Sequence, residues 1–294
     1  MARAIHPNRS TCLLPCDSRR SNALPRSAAR AADAIIAAPC AALAAGAAHD
    51  LAIPGRHRRL VVPSLFSLVE TIRRLGPVNG MLWATARAVS KATRDRCGLY
   101  RYRFVAQPVP PDRLLRAAAH SSIAIRLVAE GHPLIQQFPR PPEVLRARYR
   151  MGAYCVAAEK AGQFAGFIWL KERDYPEDEV RCRYILDPPH IATWDFDVHV
   201  EPEFRYGRTF ARLWDSANAF LRERGYRWTI SRISAFNAES IAAHRRLDAR
   251  TIATATFLRL GPAQIALLPR APFVHLGWRS NQIPTIRLGP PSEK

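Results

Sequence analysis

The hydrophobic pattern of the chain changes at about Val61. Residues 1–60 contain 17 Ala and no Phe, Tyr or Trp. A segment without large side chains buries too little apolar area to offset the entropy lost on ordering. We therefore expect residues 1–60 to form a disordered Ala/Arg-rich extension. Arg19 and Arg20, ahead of the Ala-rich run at 31–48, leave a targeting sequence as the alternative.

From Ser64 onward, apolar residues recur at helical spacing. Ser64 suits an N-cap, and Gly76–Pro77 is expected to end the first helix. A second helix with several basic residues is predicted over about 80–94. We assign residues 61–98 to an amphipathic helical segment. It either packs on the domain that follows or contacts an anionic membrane surface peripherally through residues 64–94.

Beyond residue 98 the pattern alternates between strand-like and helix-like segments. The stretch at 159–163 predicts a hairpin connection, and an acidic loop follows at Glu172–Glu179. Strands and helices in this order predict an α/β (α+β) domain over residues 99–270, with a mixed central sheet flanked by helices. A C-terminal tail is expected at 271–294. The predicted strands cover 101–109, 154–158, 164–170, 180–186, 193–200, 227–233 and 251–260, and the predicted helices cover 112–119, 143–149, 209–224 and 238–247.

The formal net charge is +20, from 44 basic and 24 acidic residues. Only 4 of the basic residues are Lys, and the excess is spread as +6 over residues 1–60, +6 over 61–200 and +8 over 201–294. Because the excess positive charge is distributed so evenly along the chain, it marks no single binding face. The chain also lacks the interleaved aromatic and basic residues of a single-strand groove and any helix-turn-helix signal. We therefore do not expect a nucleic-acid partner.

The 6 cysteines are scattered without a CxxC pair, which argues against a zinc module or a disulfide scaffold. They are expected to be reduced thiols. No apolar run reaches the roughly 18 residues of a membrane span. The sequence therefore favours a cytoplasmic protein, with peripheral contact to the inner membrane through residues 64–94 as the alternative.

A polar stripe marks the strand predicted at 193–200, because its apolar residues alternate with ionisable ones. Successive side chains of a strand point to opposite faces, so the spacing predicts one shared face for four ionisable side chains. That face either lines a binding cleft or meets solvent. The four residues are Asp195, Asp197, His199 and Glu201.

This strand is followed by a basic turn that opens a helix. Val200 and Pro202 precede the stretch Arg205-Tyr-Gly-Arg-Thr-Phe-Ala211. Backbone N–H groups at a helix N-terminus offer unpaired donors and a partial positive charge to a phosphate, and Gly207 lets the backbone approach closely. A basic helix start without a ligand is the alternative. Charge-assisted contacts to phosphate can come from Arg205, Arg208 and Arg212.

Asn237 directly precedes the next predicted helix, and Ser240 and His244 follow it by three and seven residues. Together with the preceding strand and turn, residues 194–260 resemble the GCN5-related N-acetyltransferase (GNAT) superfamily. The family pattern has a strand ending in Val-x-Pro, a Gly-rich turn that opens a long helix, and then Asn-x-x-Ala-x-x-x-Tyr-x-x-x-Gly. His244 stands at the Tyr position.

The sequence departs from the family pattern at two places. Thr209 and Ala211 stand at the two later glycine positions of the turn if Tyr206 is an insertion. Asp248 and Ala249 replace the usual Gly-Phe at the end of the second motif. The sequence therefore resembles a divergent member of the superfamily.

The resemblance implies an acyl-CoA N-acyltransferase fold, with acetyl-CoA or another acyl-CoA as co-substrate and no metal. An amine-bearing acceptor would attack the thioester directly. His244 is expected to protonate the leaving thiolate, since an imidazolium can donate a proton at neutral pH. Asp197 and Glu201 are the first candidates to bind the amine or accept its proton, with Asp195 and His199 next. The implied cofactor-binding residues are Val198, Val200, Arg205, Gly207, Arg208, Thr209, Phe210, Ala211, Asn237 and Ser240.

A catalytically inactive acyltransferase fold that serves as a binding or interaction module is the alternative, because the turn keeps a single glycine. A gap between the strands at 193–200 and 227–233 would favour acyl-CoA. A filled gap would favour the inactive module.

Overall fold

The computed structural model describes residues 65–113, 122–205 and 208–291. The extension expected at 1–60, most of the helix predicted at 112–119, and Tyr206 with Gly207 lie outside these residues.

The described residues form five α-helices. The first two are separated by Gly76 alone, whose φ of 80° lets the chain change direction. Pro77 occupies the first turn of the second helix, where a missing N–H costs nothing, so that helix begins three residues earlier than the sequence predicts. The helices are α1 (Leu65–Leu75), α2 (Pro77–Ala92), α3 (Pro142–Arg150), α4 (Thr209–Glu223) and α5 (Ala238–Arg245), and short 3-10 turns span Pro133–Gln137 and Pro202–Phe204. None of these helices combines the length and the apolar content needed to cross a bilayer.

Twelve β-strands complete the described part of the chain, and several match the sequence prediction within a few residues. Strands β2, β5, β10, β11 and β12 had no counterpart there. β11 and β12 lie within the residues expected to form a tail. The strands are β1 (Cys97–Pro108), β2 (Ile123–Val128), β3 (Tyr154–Lys160), β4 (Gln163–Lys171), β5 (Asp174–Pro176), β6 (Arg183–Leu186), β7 (Ala192–Val200), β8 (Trp228–Ser234), β9 (Arg250–Leu260), β10 (Ala263–Leu267), β11 (Val274–Gly277) and β12 (Thr285–Leu288).

Nine strands form one mixed sheet in the order β11-β10-β9-β1-β8-β7-β4-β3-β2, and the other three form a small sheet in the order β12-β6-β5. Neighbours in the large sheet are antiparallel, except that β7 and β8 run parallel. The parallel pair is joined by α4. The first described strand, β1, lies between β8 and β9, which are close to the end of the chain.

The two faces of the large sheet carry separate cores. One face packs aromatic side chains against the small sheet, where Tyr184 contacts Phe104 and Trp194 with ring centroids 5.0 Å apart in each pair. We call this the aromatic face. The other face packs under α4 through Leu213, Trp214 and other apolar side chains, and we call it the α4 face. The architecture confirms the predicted mixed sheet flanked by helices.

Gly166 on β4 lets α4 come close to the sheet. A Cβ at this position would lie 2.6 Å from the His199 carbonyl oxygen and 3.1 Å from Leu213 Cδ1. Only a residue without a side chain fits between the end of β7 and the first turns of α4. The glycine therefore helps to set the position of the α4 N-terminus relative to β7.

Candidate functional site

A gap opens between β7 and β8. The two strands are paired from Ala192 and Trp228 to Asp195 and Ser231, where the pairing stops. Beyond that point β7 pairs with β4, and β8 pairs with β1. Among the described residues, the last five of β7 therefore have no strand partner on their β8 side. This is the open arrangement that the sequence analysis set as favouring acyl-CoA.

A β-bulge interrupts β7 at the mouth of this gap. Trp169 pairs with Phe196 and Phe167 pairs with His199, so two residues of β7 lie opposite Ile168 alone. Asp197, one of the two, has φ 50°, which is uncommon for a residue with a side chain. A bulge re-aims the side chains that follow it. The expectation that four ionisable side chains share one face is therefore wrong.

Asp195 lies on the α4 face, in a buried polar cluster inside the gap. His244 Nε2 is 4.0 Å from Asp195 Oδ1, and the two residues are 5% and 2% exposed. Their Nε2 and Oδ2 atoms, together with the hydroxyls of Thr229 and Ser231, have no hydrogen-bond partner among the described residues. Burial raises the pKa of Asp195, and the nearby His244 and the two hydroxyls oppose that rise only in part. Such a cluster is costly unless a ligand or water completes it.

The ring of His244 is oriented by its own helix. Its Nδ1 lies 2.9 Å from the Ser240 carbonyl oxygen. A carbonyl can only accept, so Nδ1 carries the proton and Nε2 faces Asp195. Asn237 caps α5 by accepting a hydrogen bond of 2.9 Å from the Ser240 N–H. In this structure Asn237 and Ser240, expected to touch a cofactor, both hold the helix that carries His244.

The start of α4 lies just past the end of β7. Arg208 is the N-cap and makes no side-chain cap, while Arg212 N–H donates to the Arg208 carbonyl at 2.9 Å. Thr209 is buried, and the ring of Phe210 packs 6.4 Å from that of Trp214. Exposed Arg208 and half-buried Arg212 leave positive charge at this helix start. The arrangement suits a phosphate, as the sequence predicts.

Two of the expected cofactor-binding residues, Arg205 and Val200, stabilise the turn between β7 and α4. Arg205 Nε donates to the Val200 carbonyl at 2.9 Å, which ties the turn to the end of β7. Val200 is buried in the core under α4, and Val198 packs against that core. Ala211 is half-buried in the first turn of α4, and Gly207 lies outside the described residues.

Asp197 lies on the aromatic face, between two arginines. Arg140 Nε donates to Asp197 Oδ2 at 2.8 Å, and Arg148 Nη1 contacts the same oxygen. Burial alone would raise the pKa of Asp197, but the Arg148 and Arg140 guanidiniums hold that pKa below its ordinary value. A carboxylate stabilised in this way is a weak base. The geometry therefore disfavours Asp197 as the group that accepts the amine proton.

Glu201 and His199 lie farther along the chain, also away from Asp195. Glu201 Oε1 is 3.2 Å from His199 Nε2, and His199 stacks on Phe164. Burial lowers the pKa of His199, although Glu201 opposes the change. Asp195 pairs with Leu170, and the Glu201 N–H donates to the Ala165 carbonyl five residues away on β4. At about 3.3 Å per residue, Glu201 and Asp195 are therefore roughly 16 Å apart. Glu201 and His244 therefore do not reach the same reacting atoms. Glu201 lines an open cavity of about 470 Å³ with Gln137, Gln163, Phe164, Glu203 and Phe204.

The acidic loop supplies a residue that sequence reasoning missed. Tyr175 stacks on Trp194 with ring centroids 5.6 Å apart, and two residues later Glu177 Oε1 reaches Arg232 Nη2 at 2.8 Å. The loop thus crosses from β7 to β8 over the aromatic side of the gap. Burial raises the pKa of Glu177 to about 8, against the attraction of Arg232 and with help from Asp178 and Glu179. Three consecutive acidic residues at 177–179 were the available signal.

Arg232 is the centre of this acidic side of the gap. Its guanidinium contacts Glu179 Oε2 at 2.6 Å and lies 4.5 Å from the centre of the Tyr102 ring. The Tyr102 hydroxyl donates to the same Glu179 oxygen at 2.7 Å. The gap is therefore bordered by His244 and Asp195 on the α4 face. On the aromatic face it is bordered by the carboxylates of the acidic loop around Arg232 and, at the bulge, by Asp197 with Arg140 and Arg148. No group of three His, Cys, Asp or Glu side chains in the described ranges is placed to hold a metal ion.

Comparison with known proteins finds distant structural likeness and no sequence relative. No family model matches the chain, and no curated protein matches it. A conserved protein of unknown function from Staphylococcus epidermidis superposes with a TM-score of 0.38 at 9% identity, over 58% of this chain and 65% of that one. An acetyltransferase assigned to the GNAT family from Novosphingobium aromaticivorans gives 0.37 at 15% identity, over 54% of this chain and 62% of that one.

A third solved structure is a GNAT family acetyltransferase from Elizabethkingia anophelis with acetyl-CoA bound. It gives a TM-score of 0.32 at 14% identity, over 43% of this chain and 75% of that one. The chain thus spans less than two thirds of the length of the first two structures. Likeness at this level carries no weight for activity. The mixed sheet and the diverging parallel pair β7 and β8 are the features of this chain that agree with the fold predicted from the sequence.

Proposed function

We propose that this protein transfers an acyl group from acetyl-CoA, or another acyl-CoA, directly to an amine acceptor. The observation that carries the proposal is the gap between β7 and β8, with the unpaired Nε2 of buried His244 inside it. A structural histidine in a core would have both ring nitrogens satisfied. In His244, Nδ1 is fixed by the Ser240 carbonyl, whereas Nε2 has no hydrogen-bond partner among the described residues.

Acyl-CoA would bind with its phosphates at the start of α4 and its pantetheine arm in the gap. Exposed Arg208 and the first N–H groups of α4 receive the phosphates. The pantetheine amides supply hydrogen-bond partners to the β7 edge that lacks a strand beyond Asp195. The thioester then lies at the level where the two strands separate.

In the transfer step, the amine nitrogen forms a bond to the thioester carbon while the carbon–sulfur bond breaks. The thiolate leaves with the bond electrons and takes a proton from His244 Nε2. Nδ1 stays hydrogen-bonded to the Ser240 carbonyl throughout, so the imidazolium loses only the Nε2 proton. Asp195 Oδ1, 4.0 Å away, faces the nitrogen that donates this proton.

The acceptor would enter from the aromatic face, beneath the acidic loop. Carboxylates at this side favour a cationic amine such as an amino sugar, a polyamine or a lysine side chain. Glu177, with its pKa raised to about 8, is the carboxyl best matched to accepting a proton from an ammonium at neutral or mildly alkaline pH. Asp197 and Glu201 would then shape the acceptor side without accepting the proton.

Isothermal titration of the full chain with acetyl-CoA tests the binding half of the proposal. We expect saturable binding, weakened at least about tenfold by Arg208→Glu because a charge-assisted phosphate contact is lost. Arg150→Glu, an equal charge change at the exposed end of α3, serves as the matched control and should bind like the wild type. Absence of binding heat at millimolar acetyl-CoA would contradict the proposal.

A catalytically inactive binding module remains the second candidate, favoured by the buried Glu177–Arg232 ion pair that closes one side of the gap. The two candidates differ in turnover. Incubation with acetyl-CoA and a panel of cationic amines should release free thiol if the protein is an enzyme. Binding of acetyl-CoA without thiol release from any amine, in wild type and His244→Ala alike, would favour the module.

A further inference from the structure

Within the part of the chain that the structure describes, strands β9, β10 and β11 of the large sheet leave an apolar face uncovered. Opposite residues of antiparallel neighbours lie on the same face, and Ile265 pairs with both Leu258 and Leu276, while Leu267 pairs with Val274. Leu267, Val274 and Leu276 are 50%, 54% and 53% exposed. We call this set the C-terminal apolar face. Its members are Leu258, Leu260, Ile265, Leu267, Val274 and Leu276.

Bulky side chains extend this surface at both ends of β11. Trp278 follows Leu276 at the two-residue spacing of a strand and is 68% exposed. Phe273, just before β11, is 66% exposed. Soluble proteins rarely leave so much contiguous apolar surface uncovered, and where they do it marks an interaction site.

The segment of chain that forms this face carries side-chain charge of one sign. Residues 249–292 contain five Arg and no Asp, Glu or Lys. Arg270 and Arg279 are exposed in the segments that flank β11. A second copy of this chain would bring arginines against arginines, which disfavours pairing through the same surface. An anionic partner complements it, and the exposed Trp and Phe select one with an apolar layer beneath its charge.

We propose that the C-terminal apolar face docks on an anionic lipid bilayer, with Arg270 and Arg279 on the headgroups and Leu267, Leu276 and Trp278 in the interface. Trp is enriched where a bilayer meets water, because its ring is apolar and its N–H is polar. The proposal does not depend on the acyl transfer proposed above. It also differs from the membrane contact that the sequence suggested for residues 64–94, because those residues form α1 and α2 and lie outside this face.

Vesicle flotation of the full chain tests the proposal directly. The probes are vesicles of phosphatidylcholine alone and vesicles with about one third phosphatidylglycerol. We expect binding to the anionic vesicles, weakened by salt, and about a fivefold loss of affinity for each arginine removed in Arg270→Ala and Arg279→Ala. Equal binding to both kinds of vesicle, or to neither, overturns the proposal.

A matched pair of variants locates the surface. Leu267→Ser with Leu276→Ser should lower the affinity for anionic vesicles by at least about tenfold. Leu127→Ser on β2, equally exposed at 50% on the opposite edge strand of the sheet, should leave it unchanged. Both variants change exposed side chains, and a melting curve verifies that each is folded.

Three further outcomes overturn the proposal. Binding that survives Leu267→Ser with Leu276→Ser but is lost in Met81→Ser would place the contact on α2. A concentration-dependent dimer that the same double variant abolishes, without vesicle binding, would assign the face to a second copy. Selective retention of an acidic protein without vesicle binding would assign it to a protein partner.

Discussion

His244 and Asp195 are two buried polar residues that the chain holds apart. Ser240 satisfies Nδ1 of the histidine, and the carboxyl stands 4.0 Å from Nε2, beyond hydrogen-bond distance. Direct contact would make a closed ion pair with nothing left to donate. The separation leaves the Nε2 position open to a third group, and in the proposed reaction that group is the leaving sulfur.

Replacement of His244 tests its part in the transfer. His244→Ala should lower kcat by about 10²–10⁴-fold, because the thiolate loses its proton donor, while the Kd for acetyl-CoA changes little. His244→Tyr, which installs the residue of the GNAT pattern, should restore much of the lost rate. His190→Ala, an exposed histidine before β7, is the control and should keep full activity. A His244→Ala enzyme with unchanged kcat would exclude the histidine from the chemistry.

A second prediction concerns how Glu177 affects the stability of the protein as the pH changes. Its pKa is raised in the folded protein to about 8 from an ordinary 4.5, so folding favours the protonated form. The stability due to this group is complete below pH 4.5 and is lost as the pH rises through 8. Relative to wild type, Glu177→Gln should therefore gain stability across that pH range in thermal unfolding experiments.

Glu130→Gln, which removes an exposed carboxylate in the turn after β2, controls for the change in net charge. Its stability relative to wild type should stay flat over the same range. A flat or falling curve for Glu177→Gln would mean that Arg232 outweighs burial, and would remove Glu177 as the proton acceptor.

At the scale of elements, the site depends on how β7 ends. The bulge at Asp197 turns the strand, Arg205 ties the turn to the Val200 carbonyl, and Gly166 lets α4 approach. A shift of any one of these would move the α4 N-terminus relative to the gap. Phosphate binding and thioester placement are thereby coupled through a few backbone contacts.

Gly166→Ala should destabilise the fold by about 1–3 kcal/mol and weaken acetyl-CoA binding, because the new methyl group displaces β7 from α4. Its closest neighbour would be a backbone oxygen, at 2.6 Å, and not the Leu213 side chain at 3.1 Å. Leu213→Ala should therefore fail to rescue Gly166→Ala in a double-mutant cycle of unfolding free energies. If the double variant had the same unfolding free energy as Leu213→Ala alone, the Leu213 side chain would be the group that clashes with the new methyl group.

The hydrophobic pattern along the sequence predicted the elements of the site but not how those elements are placed relative to one another. Alternation along 193–200 predicted β7, and the stripe of 209–224 predicted α4, because each buries one face. The bulge at Asp197 moves the side chains that follow it to the opposite face of the sheet, and no local sequence signal marks the bulge. The raised pKa of Glu177 depends on burial of its side chain where the acidic loop meets Arg232 of β8, more than 50 residues later in the chain. Such tertiary effects are absent from a window of a few residues.

At the scale of the whole molecule, the positive charge is less uniform than its spread along the chain suggests. Residues 249–292 carry five arginines without an acidic residue, whereas three carboxylates surround Arg232 at the gap. Charge of opposite sign is thus concentrated at the proposed docking surface and at the proposed acceptor entrance. Binding to anionic vesicles would leave the acidic entrance free for a cationic acceptor.

The position of β1 has a consequence for how the chain folds during synthesis. Its partners β8 and β9 end at Ser234 and Leu260, so its pairings close loops of more than 100 residues. Long loops are slow to close, and each edge of β1 stays unpaired until its partner strand has left the ribosome. A ribosome paused before β9 would expose an aromatic-rich strand with a free edge to chaperones or to aggregation. Completion of this part of the sheet is therefore set by β8 and β9, which follow β1 by more than 100 residues.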